Sequence, residues 1–364
     1  MPQGKYFRIG YGMIVFLVIV WLLHQVDFIF RPLWTIGKAL FFPFLLAGVF
    51  YYILRPVVLL LERRRISRTL SIVVLYLLIT CVIVSLSMFI GPVIRKQVEM
   101  LIANLPELID SFRSQLLELQ AKPWARGLFQ EGNTDLTDRV ADYFSGAMTT
   151  IGDRALNLMA VTTGILVILG MVPFILFYML KDGEKVPHIL LRWLPQRHEV
   201  EGRKILTEMD DALSSYIQGQ FIVSLVLGVI IYIGYSIIGM EYSLLLAILA
   251  MMTNVIPSVG QLIGVIPSII VAFIHSPSMV VKVVIVVTIA QQIEGNLLSP
   301  HIMGRKLDIH PLTIIMLLLV SASLAGFLGM LLAVPLYAIA KVIVQHALRL
   351  FILQRSAPEP SKEP

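Results

Sequence analysis

A run of polar residues interrupts the apolar second half of the chain: Gln291-Gln292-Ile293-Glu294-Gly295-Asn296-Leu297-Leu298-Ser299-Pro300-His301, followed by Gly304-Arg305-Lys306 and Asp308-Ile309-His310-Pro311. Apolar runs flank it, Met279–Ala290 before and Leu312–Ile343 after. Ionisable and amide side chains at the end of a hydrophobic helix are costly unless they line water, a solute or protein. Glu294 can hold a cation or a proton, depending on its burial. Gln291, Gln292, Asn254, Gln261, Asn296, Ser321 and Ser323 supply uncharged oxygens and N–H or O–H donors. Such groups suit a small hydroxylated solute, or a sodium ion held together with backbone carbonyls freed at helix breaks. The plainer alternative is a polar loop between two spans, since such loops are ordinarily polar.

Other chemistries find no support. The chain has no GxxxxGK[ST] phosphate loop, no HExxH, no GxSxG and no dinucleotide fingerprint. ATP hydrolysis, metalloprotease, serine hydrolase and nicotinamide chemistry are therefore not expected, and neither is a cofactor. A single cysteine, Cys81, rules out zinc or redox cysteine patterns. His301 and His310 are too far apart for one helical face, so no metal site is expected. Asp210-Asp211 point about 100° apart on a helix, which reads as a solvated face.

These residues need elements to position them, and composition decides which. Of the 364 residues, 57% are hydrophobic and only 14% charged, against about 25% charged in soluble domains. Mean hydropathy is +0.85. The chain is an integral membrane protein, and its net charge of +6 belongs to membrane topology rather than to nucleic acid. About eight apolar segments appear: Ile9–Val26, Ile36–Leu54, Thr69–Ile94, Leu156–Leu180, Gly219–Met240, Ser243–Ile274, Met279–Ile293 and Leu312–Ile343. They are continuous rather than alternating, which excludes a closed β-barrel and predicts an all-α polytopic protein.

Loop charge sets orientation. Arg55, Arg63, Arg64, Arg65 and Arg68 oppose only Glu62, so this short loop is expected in the cytoplasm, together with both termini. The expected organisation is then three scaffold spans (1–94), an extracytoplasmic amphipathic arm (95–150), a fourth span (151–180), a cytoplasmic helical segment (181–218), a transport core (219–348) and a disordered polar tail (349–364). In the arm, Val98, Leu101, Ile102, Leu105, Ile109, Phe112 and Leu116 form one apolar stripe, Pro106 bends or restarts the helix, and Thr134–Asp138 reads as a further helix start. The arm either lies on the outer leaflet or packs against a neighbouring subunit.

Two segments of the core are too long for single spans. Ser243–Ile274 is interrupted around Asn254, Pro257 and Gly260, and Leu312–Ile343 around Ser321, Ser323, Gly326 and Gly329. Gly260-Gln-Leu-Ile-Gly-Val-Ile-Pro267 also resembles Gly329-Met-Leu-Leu-Ala-Val-Pro335. The expectation is two re-entrant helical hairpins, each preceded by a full span and inverted relative to one another. Paired interrupted segments of this kind point to a secondary-transporter binding site. Long or kinked single helices are the alternative.

Several of these motifs resemble the autoinducer-2 exporter family of bacterial membrane proteins. They are Leu54-Arg55-Pro56 with the Arg63–Arg65 cluster, Tyr216-Ile217-Gln218-Gly219-Gln220, Asn254-Val-Ile-Pro257 with Gly260, and Ile293-Glu294-Gly295-Asn296-Leu-Leu-Ser299-Pro300 through His310-Pro311. The resemblance implies an inner-membrane permease, oligomeric, in a family linked to autoinducer-2 export and in some members to sodium–proton antiport. The leading expectation is a non-enzymatic, secondary-active exporter of a small polar solute embedded in the lipid bilayer. A cation–proton antiporter with Glu294 as the exchanging carboxylate is the second reading. A non-transporting membrane scaffold is the third.

Overall fold

The computed structural model describes residues 10–15, 17–18, 27–121, 146, 163–196, 199–257, 259–302 and 310–355. Thr134–Asp138, Gly304, Arg305, the tail from Ser356 and parts of the first and fourth expected spans lie outside the described residues. The helices are α1 (Asp27–Arg63), α2 (Arg68–Phe89), α3 (Gly91–Ala103), α4 (Leu105–Ala121), α5 (Thr163–Asp182), α6 (Val186–Leu191), α7 (Glu199–Ile237), α8 (Ser243–Thr253), α9 (Val259–His275), α10 (Pro277–Ile293), α11 (Ser299–Ile302) and α12 (Pro311–Arg355). No strand occurs among the described residues. Five stretches among them are long and apolar enough to cross a bilayer: Thr35–Arg63, Arg68–Phe89, Glu199–Ile237, Pro277–Ile302 and Leu312–His346. The all-α polytopic architecture expected from the sequence is the one the chain adopts. On α2, Leu77, Met88 and Phe89 are among the most exposed side chains, as a lipid-facing helix requires.

The chain divides into two compact units, Met1–Tyr51 with Thr163–Leu180, and Tyr52–Thr162 with Lys181–Pro364. In the first, Gly48 approaches Met179, and Ala47, Val172 and Leu176 are buried. The second holds the core, a cluster built from α7, α8, α9 and α10 that includes Leu227, Ile231, Leu246, Val271, Val283 and Val287.

Within the second unit both long apolar runs fold back on themselves. In a continuous helix, residues seven or eight apart lie roughly 10–12 Å apart. Here a Cβ added to Gly260 would collide with the carbonyl oxygen of Thr253, and one added to Gly329 would collide with that of Ser321. Only glycine permits that approach. In the first hairpin, α8 and α9 have 11 and 17 residues, about 16 and 25 Å, each short of the roughly 30 Å hydrocarbon thickness. The second hairpin lies within α12, where Ala325 (φ −139°) and Gly326 (φ +59°) are non-helical and separate residues 311–324 from residues 327–355. Ile256, at the first break, packs on Leu318 and Ala333, one from each limb of the second hairpin.

The arm docks on the first hairpin, a contact that neither expectation for it included. Gln97 Oε1 on α3 accepts from Leu245 N at 2.9 Å, capping the start of α8. Asn104 Nδ2 donates to Tyr242 Oη at 3.2 Å, and Gln115 Nε2 on α4 donates to Ile274 O at 2.5 Å. Both ends of the hairpin therefore lie against the same pair of helices, so the chain enters and leaves it on one side. The closing limb of the second hairpin reaches His346, beside Glu201 and Glu208 at the opposite end of α7. Pro106 sits where α3 gives way to α4, with Asn104 capping α3.

Candidate functional site

Four elements of the core bring buried polar groups together. Glu294 follows directly on α10, where one π turn, Glu294–Leu298, replaces the regular helix and Ser299 N bonds to Glu294 O. Pro300 has no N–H to offer that turn. Glu294 extends the buried face of α10 that runs through Val283, Val287 and Ala290 and is 7% exposed, while Gly295, Asn296 and Leu297, inside the π turn, face outward. Short π segments inside helices are frequent at functional sites.

The Glu294 carboxylate accepts from Asn254 Nδ2 at 3.2 Å and from Gln261 Nε2. Asn254 caps the end of α8 and Gln261 lies in the first turn of α9, so both donors come from the hairpin break. Asn254 is fully buried, and its Nδ2 also reaches Ser224 Oγ on α7 at 3.4 Å. A helix end leaves its carbonyls unpaired. The Asn254 carbonyl is satisfied by Gln220 Nε2, also from α7, at 2.5 Å. Among the described residues, the buried Asn254 Oδ1 has no hydrogen-bond partner.

Among the described residues, no lysine or arginine pairs with Glu294; its two partners are neutral amides. A buried carboxylate with only neutral partners is completed by a proton or a cation. Oxygens suited to a hard monovalent cation are at hand in Glu294, Ser224 Oγ and the unpaired Asn254 Oδ1.

Of the residues singled out in the sequence, Glu294, Asn254 and Gln261 meet. Gln292 and Asn296 do not join them; Asn296 Nδ2 donates to Gln292 Oε1 at 2.7 Å on an exposed face. Gln291 is only half-buried. Ser321 lies in the second hairpin against Gly329, and exposed Ser323 donates to Val320 O at 2.9 Å. Pro257 and Gly260 form the first break, Gly326 and Gly329 the second. Ser299, Pro300 and His301 continue the helix to Ile302 instead of beginning a loop, with His301 Nδ1 donating to Leu297 O at 2.7 Å. His310 Nδ1 accepts from Leu312 N at 3.3 Å, and Pro311 opens α12.

Gln220 and Ser224 were not among the expected site residues. Their signal was present, two polar residues one helical turn apart in the apolar part of α7. Asp210, expected on a solvated face, is instead bound by Arg55 Nη1 at 2.6 Å and Tyr52 Oη at 3.1 Å. Gln218 Nε2 donates to the Tyr52 carbonyl at 2.8 Å. Arg55 and Gln218, each from a motif that carried the family resemblance, thus tie the α1 segment around Tyr52 to the first half of α7.

A family model described as AI-2E family transporter matches residues 11–349. The chain belongs to the AI-2E transporter family. YueF and YrrI of Bacillus subtilis (strain 168), both provisionally named as transport proteins, are similar to it. YueF is 40% identical over 96% of this chain and 95% of its own. YrrI is 34% identical over 92% of this chain and 94% of its own. TqsA of Escherichia coli (strain K12), named as an AI-2 transport protein, is 26% identical over 84% of this chain and 85% of its own. This AI-2E family member is therefore a multi-pass membrane transporter, and the scaffold reading is carried no further.

Proposed function

We propose that the chain is a secondary-active transporter of the bacterial inner membrane that moves a small polar solute, with a proton or sodium ion bound at Glu294 supplying the coupling. The observation that carries this reading is a buried carboxylate with neutral partners at a helix break. Ion binding there exchanges amide N–H donors for a cation or proton. Because Asn254 and Gln261 belong to the break itself, that exchange bears directly on how α8 and α9 meet. Both termini lie in the cytoplasm in this reading, and the first hairpin opens on the outer face. Export of autoinducer-2 is the first cargo to test, on the strength of the name TqsA carries. The site residues are Glu294, Asn254, Gln261, Gln220 and Ser224, with the two hairpin breaks flanking the path.

A second reading draws on the same cluster. Its one carboxylate and few neutral oxygens are enough for sodium without an organic solute, which is the composition of a cation–proton antiporter. Purified protein in proteoliposomes separates the two. Solute uptake driven by an imposed ion gradient supports the first. Sodium-dependent proton movement without solute supports the second. Absence of both, in vesicles shown to be sealed, overturns the transport role assigned to Glu294.

A further inference from the structure

Away from Glu294, a second titratable group is held between charges. His346, in the closing limb of α12, is 4% exposed. Its Nδ1 lies 2.8 Å from Glu201 Oε1 and its Nε2 lies 2.7 Å from Glu208 Oε2. The glutamates are seven residues apart on α7, on one face and two turns apart. An ionised carboxylate only accepts, and a neutral imidazole carries a single N–H. Both contacts are satisfied together only when the trio holds one proton more than a neutral ring and two carboxylates would. The glutamate side chains are 31% and 44% exposed, so the proton exchanges with water on that face.

Among the described side chains, the charges flanking the trio on these two helices are Glu199, Arg203, Lys204 and Asp211 on α7 and Lys341 on α12. Arg203 pairs with Glu199 at 3.2 Å. The charges that act on the ring are the two glutamates. Losing the extra proton leaves one N–H for two carboxylates, and one contact becomes lone pair against lone pair. The helices joined here are the one that carries Gln220 and Ser224 and the one that forms the second hairpin.

We propose that His346, Glu201 and Glu208 form a second proton-binding site that latches the closing limb of the second hairpin to α7. It ties the transporter's conformation to pH on the face that the proposed topology assigns to the cytoplasm. Protonation closes the latch and deprotonation opens it, with the proton taken from and returned to that aqueous phase.

The test is amide hydrogen exchange on the purified full chain, corrected for the intrinsic pH dependence of exchange, between pH 6 and pH 9. Peptides covering residues 199–210 and 338–350 should lose about tenfold in protection as pH rises, the loss expected when a charge-assisted hydrogen bond opens. In His346→Gln, protection should be low and flat with pH. The double replacement Glu201→Gln with Glu208→Gln should also flatten the response. Glu294→Gln should retain it, which separates the latch from the transport site. Unchanged protection across pH in the wild-type protein overturns the proposal, as does an undiminished response in His346→Gln. Should His346→Gln fail to fold by thermal melting, the wild-type titration and the double-glutamine protein decide.

Discussion

Asn254 links three of the other members of the candidate site: its carbonyl receives Gln220, and its amide touches both Ser224 and Glu294. Gln220→Leu would leave a buried helix-end carbonyl unpaired, at a cost of about 1–3 kcal/mol. A lowered melting temperature together with impaired flux is the expected outcome. Ser224→Ala removes only a long contact of 3.4 Å, so stability should fall by less than about 1 kcal/mol. If Ser224 Oγ ligates the cation, the half-saturating sodium concentration should still rise several-fold in a flux titration. Normal sodium dependence in Ser224→Ala would remove it from the ligand set. Glu294, Asn254 and Gln261 were legible in the sequence because polar groups inside apolar runs carry a cost that demands a role. Gln220 and Ser224 were not, because a lone Gln or Ser in a helix has many uses and only tertiary contact shows which one applies. Gln292 and Asn296 misled for the converse reason: their polarity was visible, while the helix face they share, exposed and opposite in role to that of Glu294, was not.

The hairpins rest on two glycines whose replacement is sterically forbidden as the backbone stands. Gly260→Ala and Gly329→Ala each place a methyl against a carbonyl of the opposing limb. Overpacking of this kind costs about 1–3 kcal/mol or more. Both variants should melt earlier and transport poorly while still reaching the membrane. Gly295→Ala is the control, since a Cβ there meets nothing within 4 Å; its melting temperature should be unchanged or slightly higher. Gly326→Ala falls between, with room for the methyl but φ +59°, a conformation costing about 1–2 kcal/mol for a residue with a side chain. The breaks could be read from the sequence because the runs exceeded one span and carried Pro257, Gly260, Gly326 and Gly329 near their middles. The continuation of α10 through Glu294–Leu298 to Ile302 could not, because a polar stretch after an apolar run has the hydropathy of a loop whether or not it stays helical. The docking of α3 and α4 was hidden for a similar reason. Gln97, Asn104 and Gln115 sit among polar residues that read as solvent-facing, and their partners are backbone and hydroxyl groups more than 130 residues away.

The first hairpin opens toward one end of α7 and the closing limb of the second reaches the other, as inverted repeats require. In the proposed topology the first opens outside and the second inside, so His310, at the start of α12, faces the cytoplasm. With Cys81 as the chain's only cysteine, a His310→Cys substitution in a Cys81→Ala background gives a single reporter. An impermeant thiol reagent should label it only after the cells are permeabilised. Ready labelling of intact cells would place His310 outside and contradict the inverted arrangement. The coupling role is tested most directly by flux through Glu294→Gln in sealed proteoliposomes, measured across a pH range and normalised to folded protein. Glutamine keeps the shape of the side chain and removes the charge. Transport per folded molecule should fall strongly, and whatever remains should no longer depend on pH or on the coupling cation. Wild-type flux with its pH dependence intact would show that Glu294 only braces the hairpin break, and that the coupling ion binds elsewhere.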